Sequence, residues 1–101
     1  MKDFIWRNRF GEKIPLLGMD TNYLYNTVKM IWNNVIAPEN SFGDVIFWEF
    51  DNRNYPPEYL REVLRFGISI LRSRNEEISR AFVAHVDTVL EANYERNPLE
   101  K

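Results

Sequence analysis

Arginine and aromatic residues stand side by side in two parts of this chain, and this pairing is its most informative chemical feature. Arg7 and Arg9 follow Trp6, and Arg53 precedes Tyr55 by two positions. A guanidinium group pairs with phosphate, and an aromatic ring stacks on a nucleobase. The pattern therefore indicates a site for a small nucleotide. The candidate ligand-binding residues are Trp6, Arg7, Arg9, Tyr23, Lys29, Trp48, Arg53 and Tyr55.

The balance of charge argues against a long nucleic acid as the partner. The chain has 13 Lys plus Arg and 15 Asp plus Glu, a net charge of −2, and no basic stripe that could follow a phosphate backbone. Many arginines of the second half stand at helical spacing from a glutamate, as ordinary surface pairs do. These pairs are Glu58 with Arg61, Glu62 with Arg65 and Arg72 with Glu76.

The residue inventory does not favour catalysis or metal binding. The chain has no cysteine and one histidine, so thiolate nucleophiles and sites of several Cys or His ligands are excluded. His85 lies between Phe82 and Val89 in an apolar stripe, which favours a packed histidine. Glu49 and Asp51 point the same way only in an extended segment. We predict no catalytic residue, no metal and no cofactor.

The elements that must position the candidate residues begin with a β-hairpin and a helix. The hairpin covers about 3–17, with Gly11 supplying the positive φ of its turn and Pro15 on an edge. Helical periodicity predicts a helix over about 21–36, and Asp20 is its predicted N-cap. Its apolar positions fall in two stripes, which favours a central helix or one in a subunit interface. The main stripe contains Leu24, Val28, Ile31 and Val35.

A connection and a long helical pattern complete the chain. Residues 37–57 form an aromatic loop, in which we expect 44–50 to be ordered as a strand or as one or two helical turns. Residues 58–95 are helical, with a kink or break near 73–77, and the tail from residue 97 is predicted to fray. Gly67 indicates close approach of another element, because glycine weakens a helix interior.

The interruption near 73–77 has two predicted causes. Ser73 with Glu76 fits a capping box, and Asn75 is a second possible N-cap. One bent helix or two consecutive helices satisfy the pattern.

Length and hydropathy define the class of protein. The chain of 101 residues is predicted to form one domain, 1–101, because 45% apolar residues suffice for one core. The fold class is mainly α: an N-terminal β-hairpin, a short helix and a long kinked or broken helix packed as a helical hairpin. No apolar run is long enough to span a membrane, and the first residues lack the pattern of a signal peptide. We expect a cytoplasmic protein.

The order of residues from Trp6 to Asn26 carries a family resemblance over about a fifth of the chain. The matching positions are Trp6, Gly11, Ile14-Pro15-Leu16, Met19-Asp20, Tyr23-Leu24 and Asn26. They resemble the opening of a family of small tailed-phage proteins. The resemblance implies a phage accessory protein that acts by binding in the host cytoplasm. In architecture the chain looks like the phage anti-defence sponges of the anti-CBASS kind, which oligomerise and sequester cyclic oligonucleotides.

Three functional hypotheses follow. The first is a non-enzymatic homo-oligomer that sequesters a nucleotide second messenger of the cyclic oligonucleotide type. It rests on the arginines, the two-sided apolar helix and 15 aromatic residues, more than one small core needs. The alternative is a protein–protein inhibitor that binds a host or defence protein through an exposed aromatic face, for which the segment from Phe47 to Phe50 is suited. A third is an enzyme in which two carboxylates and a metal cut a phosphodiester bond.

Overall fold

The computed structural model describes residues 4–92, and its elements confirm the predicted mainly helical class. A two-stranded hairpin comes first and three helices follow it. The long helical pattern is broken, so that two consecutive helices take the place of one. The part predicted to continue the last helix to residue 95, and the tail, lie outside the described residues. The elements are β1 (Ile5–Arg7), β2 (Lys13–Pro15), α1 (Thr21–Val35), α2 (Pro57–Arg74) and α3 (Glu77–Ala92).

The hairpin is antiparallel, with Trp6 opposite Ile14. Its turn is closed by Asn8, whose Oδ1 accepts hydrogen bonds from the N–H groups of Phe10 and Glu12 at 2.9 and 3.0 Å. Gly11 has a φ of 82°, the left-handed conformation predicted for it. Because side chains alternate along a strand, Trp6 faces the helices and is buried.

Helix α1 begins where the sequence predicts. The Oδ1 of Asp20 accepts a hydrogen bond from the Tyr23 N–H at 2.8 Å, which satisfies an N–H group that lacks a partner within the helix. Leu24, Val28 and Ile31 are fully buried. Val35 was assigned to the same stripe, but it is 39% exposed. It is the last residue of the helix, where it borders a surface cleft.

Helices α1 and α2 cross closely at Gly67, as its position inside a helical pattern predicted. A Cβ atom at Gly67 would overlap the Cγ2 of Val28. The small residue therefore lets the two helices approach, and this gain offsets the cost of glycine within a helix.

The break between α2 and α3 has a different cause from the predicted N-caps. Asn75 is left-handed, with φ 51° and ψ 44°, and its N–H donates to the Leu71 carbonyl at 2.9 Å, so it ends α2. Ser73 lies inside α2 and therefore does not begin a capping box. Asparagine tolerates the left-handed conformation better than other residues with a Cβ, which explains why the helix ends there.

The core lies where the three helices meet. Trp32 and Phe82 are fully buried and pack edge to face, with ring centroids 6.3 Å apart. The Asn40 carbonyl accepts a hydrogen bond from the Trp32 Nε1–H at 2.9 Å, and the His85 Nε2 lies 2.7 Å from the same oxygen. His85 also packs against Phe42, with ring centroids 5.3 Å apart. The single histidine is thus a packing residue, as the sequence predicts.

None of the helices in residues 4–92 combines the length and the apolar character needed to cross a membrane.

Candidate functional site

Two of the candidate ligand-binding residues, Trp6 and Tyr55, belong to the core. Their side chains pack with ring centroids 5.4 Å apart, and Trp6 also stacks parallel to Tyr59 at 6.1 Å. Trp6 is 4% exposed and Tyr55 is 8% exposed. These rings therefore hold the hairpin on α2, and they do not present a free face for a base.

The hydroxyl groups of Tyr55 and Tyr59 fix the hairpin in place. The Tyr59 hydroxyl accepts from the Arg7 N–H at 3.0 Å and donates to the Ile5 carbonyl at 2.8 Å. The Tyr55 hydroxyl donates to the Arg7 carbonyl at 2.8 Å. Burial raises the pKa of both tyrosines above the usual value. Both groups therefore remain protonated at neutral pH and can donate these hydrogen bonds.

Arg7, Arg9 and Trp48 come together beside this cluster. The Arg7 guanidinium lies over the Tyr59 ring, 5.1 Å from its centroid, and donates a hydrogen bond to the Asn54 carbonyl. The Arg9 guanidinium lies 5.5 Å from the centre of the Trp48 ring system. Together with Tyr55 they line a cleft of about 300 Å³. The structure thus unites four of the eight candidate residues.

Carboxylates in the same cleft balance the charge of its arginines. Glu49 and Asp51 line it with Arg7 and Arg9, so the two charges of each sign offset one another. Hydrogen bonds from the backbone and side-chain N–H groups of Asn54 hold the pKa of Asp51 below its usual value. Asp51 is therefore ionised at neutral pH, and the cleft does not concentrate the positive charge that a phosphate group needs.

The other candidates lie apart from this cleft. Tyr23 and Lys29 line a second cleft of about 320 Å³ on another part of α1. The Lys29 Nζ lies 5.0 Å from the centre of the Tyr25 ring. Arg53 is exposed in the turn before α2. The eight residues therefore do not form one site.

Three neighbouring residues with highly exposed apolar side chains lie in the aromatic loop, and only Phe47 among them belongs to the segment that the sequence suggests for protein binding. We name residues 44–50 the apolar loop. Val45 is 52% exposed, Ile46 is 69% exposed and Phe47 is 83% exposed. The loop forms neither the strand nor the helical turns expected for it, because no second strand lies beside it in the described part of the chain.

Side chains of α1 nevertheless hold the loop in place. The Asn34 Nδ2–H donates to the Ile46 carbonyl, and the Trp48 N–H donates to the Asn34 Oδ1, both at 2.9 Å. The neighbouring residue Asn33 holds the chain just before the loop. Its Oδ1 accepts from the Phe42 N–H at 2.8 Å, and its Nδ2–H donates to the Phe42 carbonyl at 2.9 Å. The two adjacent asparagines thus supply the hydrogen bonds that a neighbouring strand would otherwise make.

The anchored loop forms a ridge between two clefts. On one side Phe47 and Trp48 border a cleft of about 490 Å³, whose other walls include Val35 and Leu60. On the other side Ile46 borders the cleft that contains Tyr23 and Lys29. The ridge therefore joins apolar surface on both sides, and the whole could receive a partner larger than a small molecule.

The charged residues within the loop and its neighbours in the sequence are all acidic, whereas Arg9 and Lys29 approach it from the hairpin and from α1. The chain from Pro38 to Asn52 contains no lysine or arginine. Its charged residues are Glu39, Asp44, Glu49 and Asp51.

No group of three or more His, Cys, Asp or Glu residues in residues 4–92 is arranged to hold a metal ion. Comparison with protein-family models, with curated proteins and with solved structures gives no match for the chain. The resemblance of residues 6–26 to the phage family therefore stays a prediction, and a proposal about function has to rest on the geometry of the molecule.

Proposed function

We propose that the chain acts by binding another protein through the apolar loop. The observation that carries the proposal is the exposure of Val45, Ile46 and Phe47 on a backbone that Asn34 holds in place. Contiguous exposed apolar side chains are costly in water, and they mark interaction surfaces in soluble proteins. The sequence suggests a protein-binding face at Phe47 to Phe50, and the exposure of Val45 and Ile46 supports a contact surface that begins two residues earlier.

The anchoring of the loop supports this proposal energetically. A protein interface obtains most of its affinity from a few large side chains that become fully desolvated, and aromatic residues are frequent among them. Phe47 is 83% exposed and has most of its surface left to bury. Because Asn34 already orders the backbone on both sides of Phe47, binding costs less conformational entropy than it would for a free loop.

The acidic flanks define the chemistry of the partner. Asp44 and Glu49 bracket the exposed apolar residues. The complementary surface is therefore an apolar groove bordered by lysine and arginine, since such a surface gains affinity from burial and association rate from opposite charge. A second copy of the chain would bring two acidic loops together and is disfavoured on the same ground.

Photo-crosslinking tests the proposal directly. The chain with benzoylphenylalanine in place of Val45, a neighbouring exposed residue of the loop, is irradiated in a bacterial lysate, the setting that the phage resemblance implies, and the crosslinked peptide is sequenced. We expect one protein to be joined through a segment rich in apolar and basic residues. Capture should be lost in Phe47→Ser and should weaken as salt rises.

Ile78→Ser is the matched control, because Ile78 is also an exposed apolar residue, at 48%, but lies on α3. It should capture the partner as well as the unaltered chain does. Equal capture by Phe47→Ser would contradict the proposal. Crosslinks only between copies of this chain would replace the proposed partner with self-association.

Sequestration of a nucleotide is a second candidate, favoured by the position of Arg9 over the Trp48 ring at the cleft that also contains Arg7. A thermal-shift screen against mononucleotides and cyclic di- and trinucleotides tests it. A ligand at about a hundred times its dissociation constant stabilises a fold by about 2.7 kcal/mol. A shift that Arg9→Gln abolishes would favour the nucleotide over the protein partner. A flat screen would remove this candidate.

A further inference from the structure

The apolar loop has the composition of a β-strand but no strand partner. Five of the six residues at 45–50 are β-branched or aromatic, the types that favour strands. Within residues 4–92, the only sheet is the two-stranded hairpin, and the loop is not part of it. Exposed segments of this kind readily pair with a strand from another chain.

The contacts of Asn34 show which edge of the loop is free. Its side chain binds the carbonyl of Ile46 and the N–H of Trp48, two groups that point to the same side of an extended chain. The N–H and carbonyl of the residue between them, Phe47, then point to the opposite side. Among the described residues no hydrogen bond engages the backbone groups of Val45, Phe47 or Glu49.

We propose that residues 45–49 accept an extended segment of the partner protein as an added strand. The main-chain groups of Val45, Phe47 and Glu49 make the hydrogen bonds, and Asn34 occupies the opposite edge of the same backbone. Strand addition of this kind obtains affinity from the main chain and specificity from alternate side chains. The inference rests on the proposed function and specifies how the partner is held.

Charge selects the sequence of the added strand. Asp44 and Glu49 lie at the two ends of the segment that would pair, and the sequence from Pro38 to Asn52 contains no lysine or arginine. Lysine or arginine across from a carboxylate stabilises a strand pair, whereas like charges destabilise it. Because Asp44 and Glu49 stand at opposite ends of the segment, the added strand carries a basic residue at each end and apolar residues between them. Antiparallel pairing of two copies about Phe47 would place two acidic loops together.

Three short capped peptides probe this edge. The first has a valine core with a lysine at each end, the second has the same sequence with its alternate amides N-methylated, and the third replaces lysine by glutamate. Each is titrated into the isotope-labelled chain while amide resonances and hydrogen exchange are followed. In the free chain the Trp48 amide, which Asn34 binds, should exchange more slowly than those of Phe47 and Glu49.

The lysine–valine peptide should shift the resonances of residues 45–49 and slow the exchange of the Phe47 and Glu49 amides by at least tenfold. The methylated and acidic peptides should do neither. Equal binding of the methylated peptide would overturn strand addition, because that peptide cannot complete the main-chain hydrogen bonds.

Two variants at one position separate the main chain from the side chain. Phe47→Ala removes the ring and keeps the N–H, whereas Phe47→Pro removes both and leaves the two bonds of Asn34 to Ile46 and Trp48 available. The lysine–valine peptide should bind Phe47→Pro about tenfold more weakly than Phe47→Ala, as the loss of one hydrogen bond predicts. Equal affinity would overturn the proposal.

The two proposals fail in different ways. If the crosslinking experiment joins a partner to position 45 while none of the peptides slows exchange at Phe47, the chain binds a protein by side-chain packing and strand addition is wrong. If neither experiment gives a signal at the apolar loop, both the strand and the protein-binding function are wrong.

Discussion

Asn33 should contribute more to the free energy of unfolding than an asparagine on the surface of a helix usually does. Its side chain is 7% exposed and binds both the N–H and the carbonyl of Phe42. Asn33→Ala leaves two partly buried backbone groups of Phe42 without partners and should lower the free energy of unfolding by about 2 kcal/mol. Urea denaturation measures this change. Asn26→Ala, on the exposed side of α1, should stay within about 0.5 kcal/mol of the unaltered chain. Equal losses would show that the contact with Phe42 contributes no stability.

The tyrosine hydroxyls predict a loss of stability at high pH. Burial raises the pKa of Tyr59 above its unfolded value of 10.0, so the folded state binds the proton more tightly than the unfolded state does. The stabilisation is complete below pH 10 and is lost as pH rises through the folded pKa. Urea denaturation between about pH 8 and about pH 11 should therefore show a shallower decline for Tyr59→Phe. A decline as steep as that of the unaltered chain would contradict this account.

At the scale of elements, the crossing of α1 and α2 depends on Gly67. Gly67→Ala raises helix propensity by about 1 kcal/mol, but the added methyl group overlaps Val28. Crowding of a packed core costs about 1 to 3 kcal/mol, so the net effect should be destabilising in urea denaturation. In a Val28→Ala background the same substitution should become neutral or stabilising. If it destabilises both backgrounds equally, Val28 is not the cause.

The junction of α2 and α3 depends on the backbone of Asn75. Its φ of 51° is strained for most residues with a Cβ and unstrained for glycine. Asn75→Ala should lower the melting temperature, with a loss of about 1 kcal/mol, whereas Asn75→Gly should be nearly neutral. The glycine variant also removes the bond from the Arg80 Nε–H to the Asn75 Oδ1, at 3.2 Å, but this contact is exposed and worth little. Equal losses would assign the stability to that contact instead.

At the scale of the whole molecule, local rules explain the elements that were predicted correctly. Asp20 and the helical periodicity after it fix α1, and Gly11 fixes the hairpin turn, because each acts on its own neighbours. The sequence predicts Asn75 as a possible N-cap of the following helix, but it is the C-cap of α2. Asparagine favours both an N-cap and a left-handed C-cap. The choice between them depends on how α2 and α3 both pack against α1, and that is a long-range property.

The candidate site shows the same limit. That an aromatic residue and an arginine are adjacent at Trp6 and Arg7 is visible in the sequence. The burial of Trp6 depends on Tyr55 and Tyr59, which lie far along the chain. Phe47 stands in a segment for which the sequence allows a strand or helical turns, and the absence of a second strand beside it in the described residues depends on the rest of the fold. The adjacent asparagines of α1 are the feature that could have indicated an anchored loop.

The packing of the hairpin on the helices predicts a single cooperative unfolding transition. A two-stranded hairpin alone is marginal in water, and this one is held by Trp6 and Leu16, which belong to the same core as Trp32. Unfolding the helices removes the surface on which the hairpin is stable. Far-ultraviolet circular dichroism, which reports the helices, and the fluorescence of Trp6 in a Trp32→Phe, Trp48→Phe background should therefore give the same urea midpoint. An earlier fluorescence midpoint would show that the hairpin detaches while the helices remain folded.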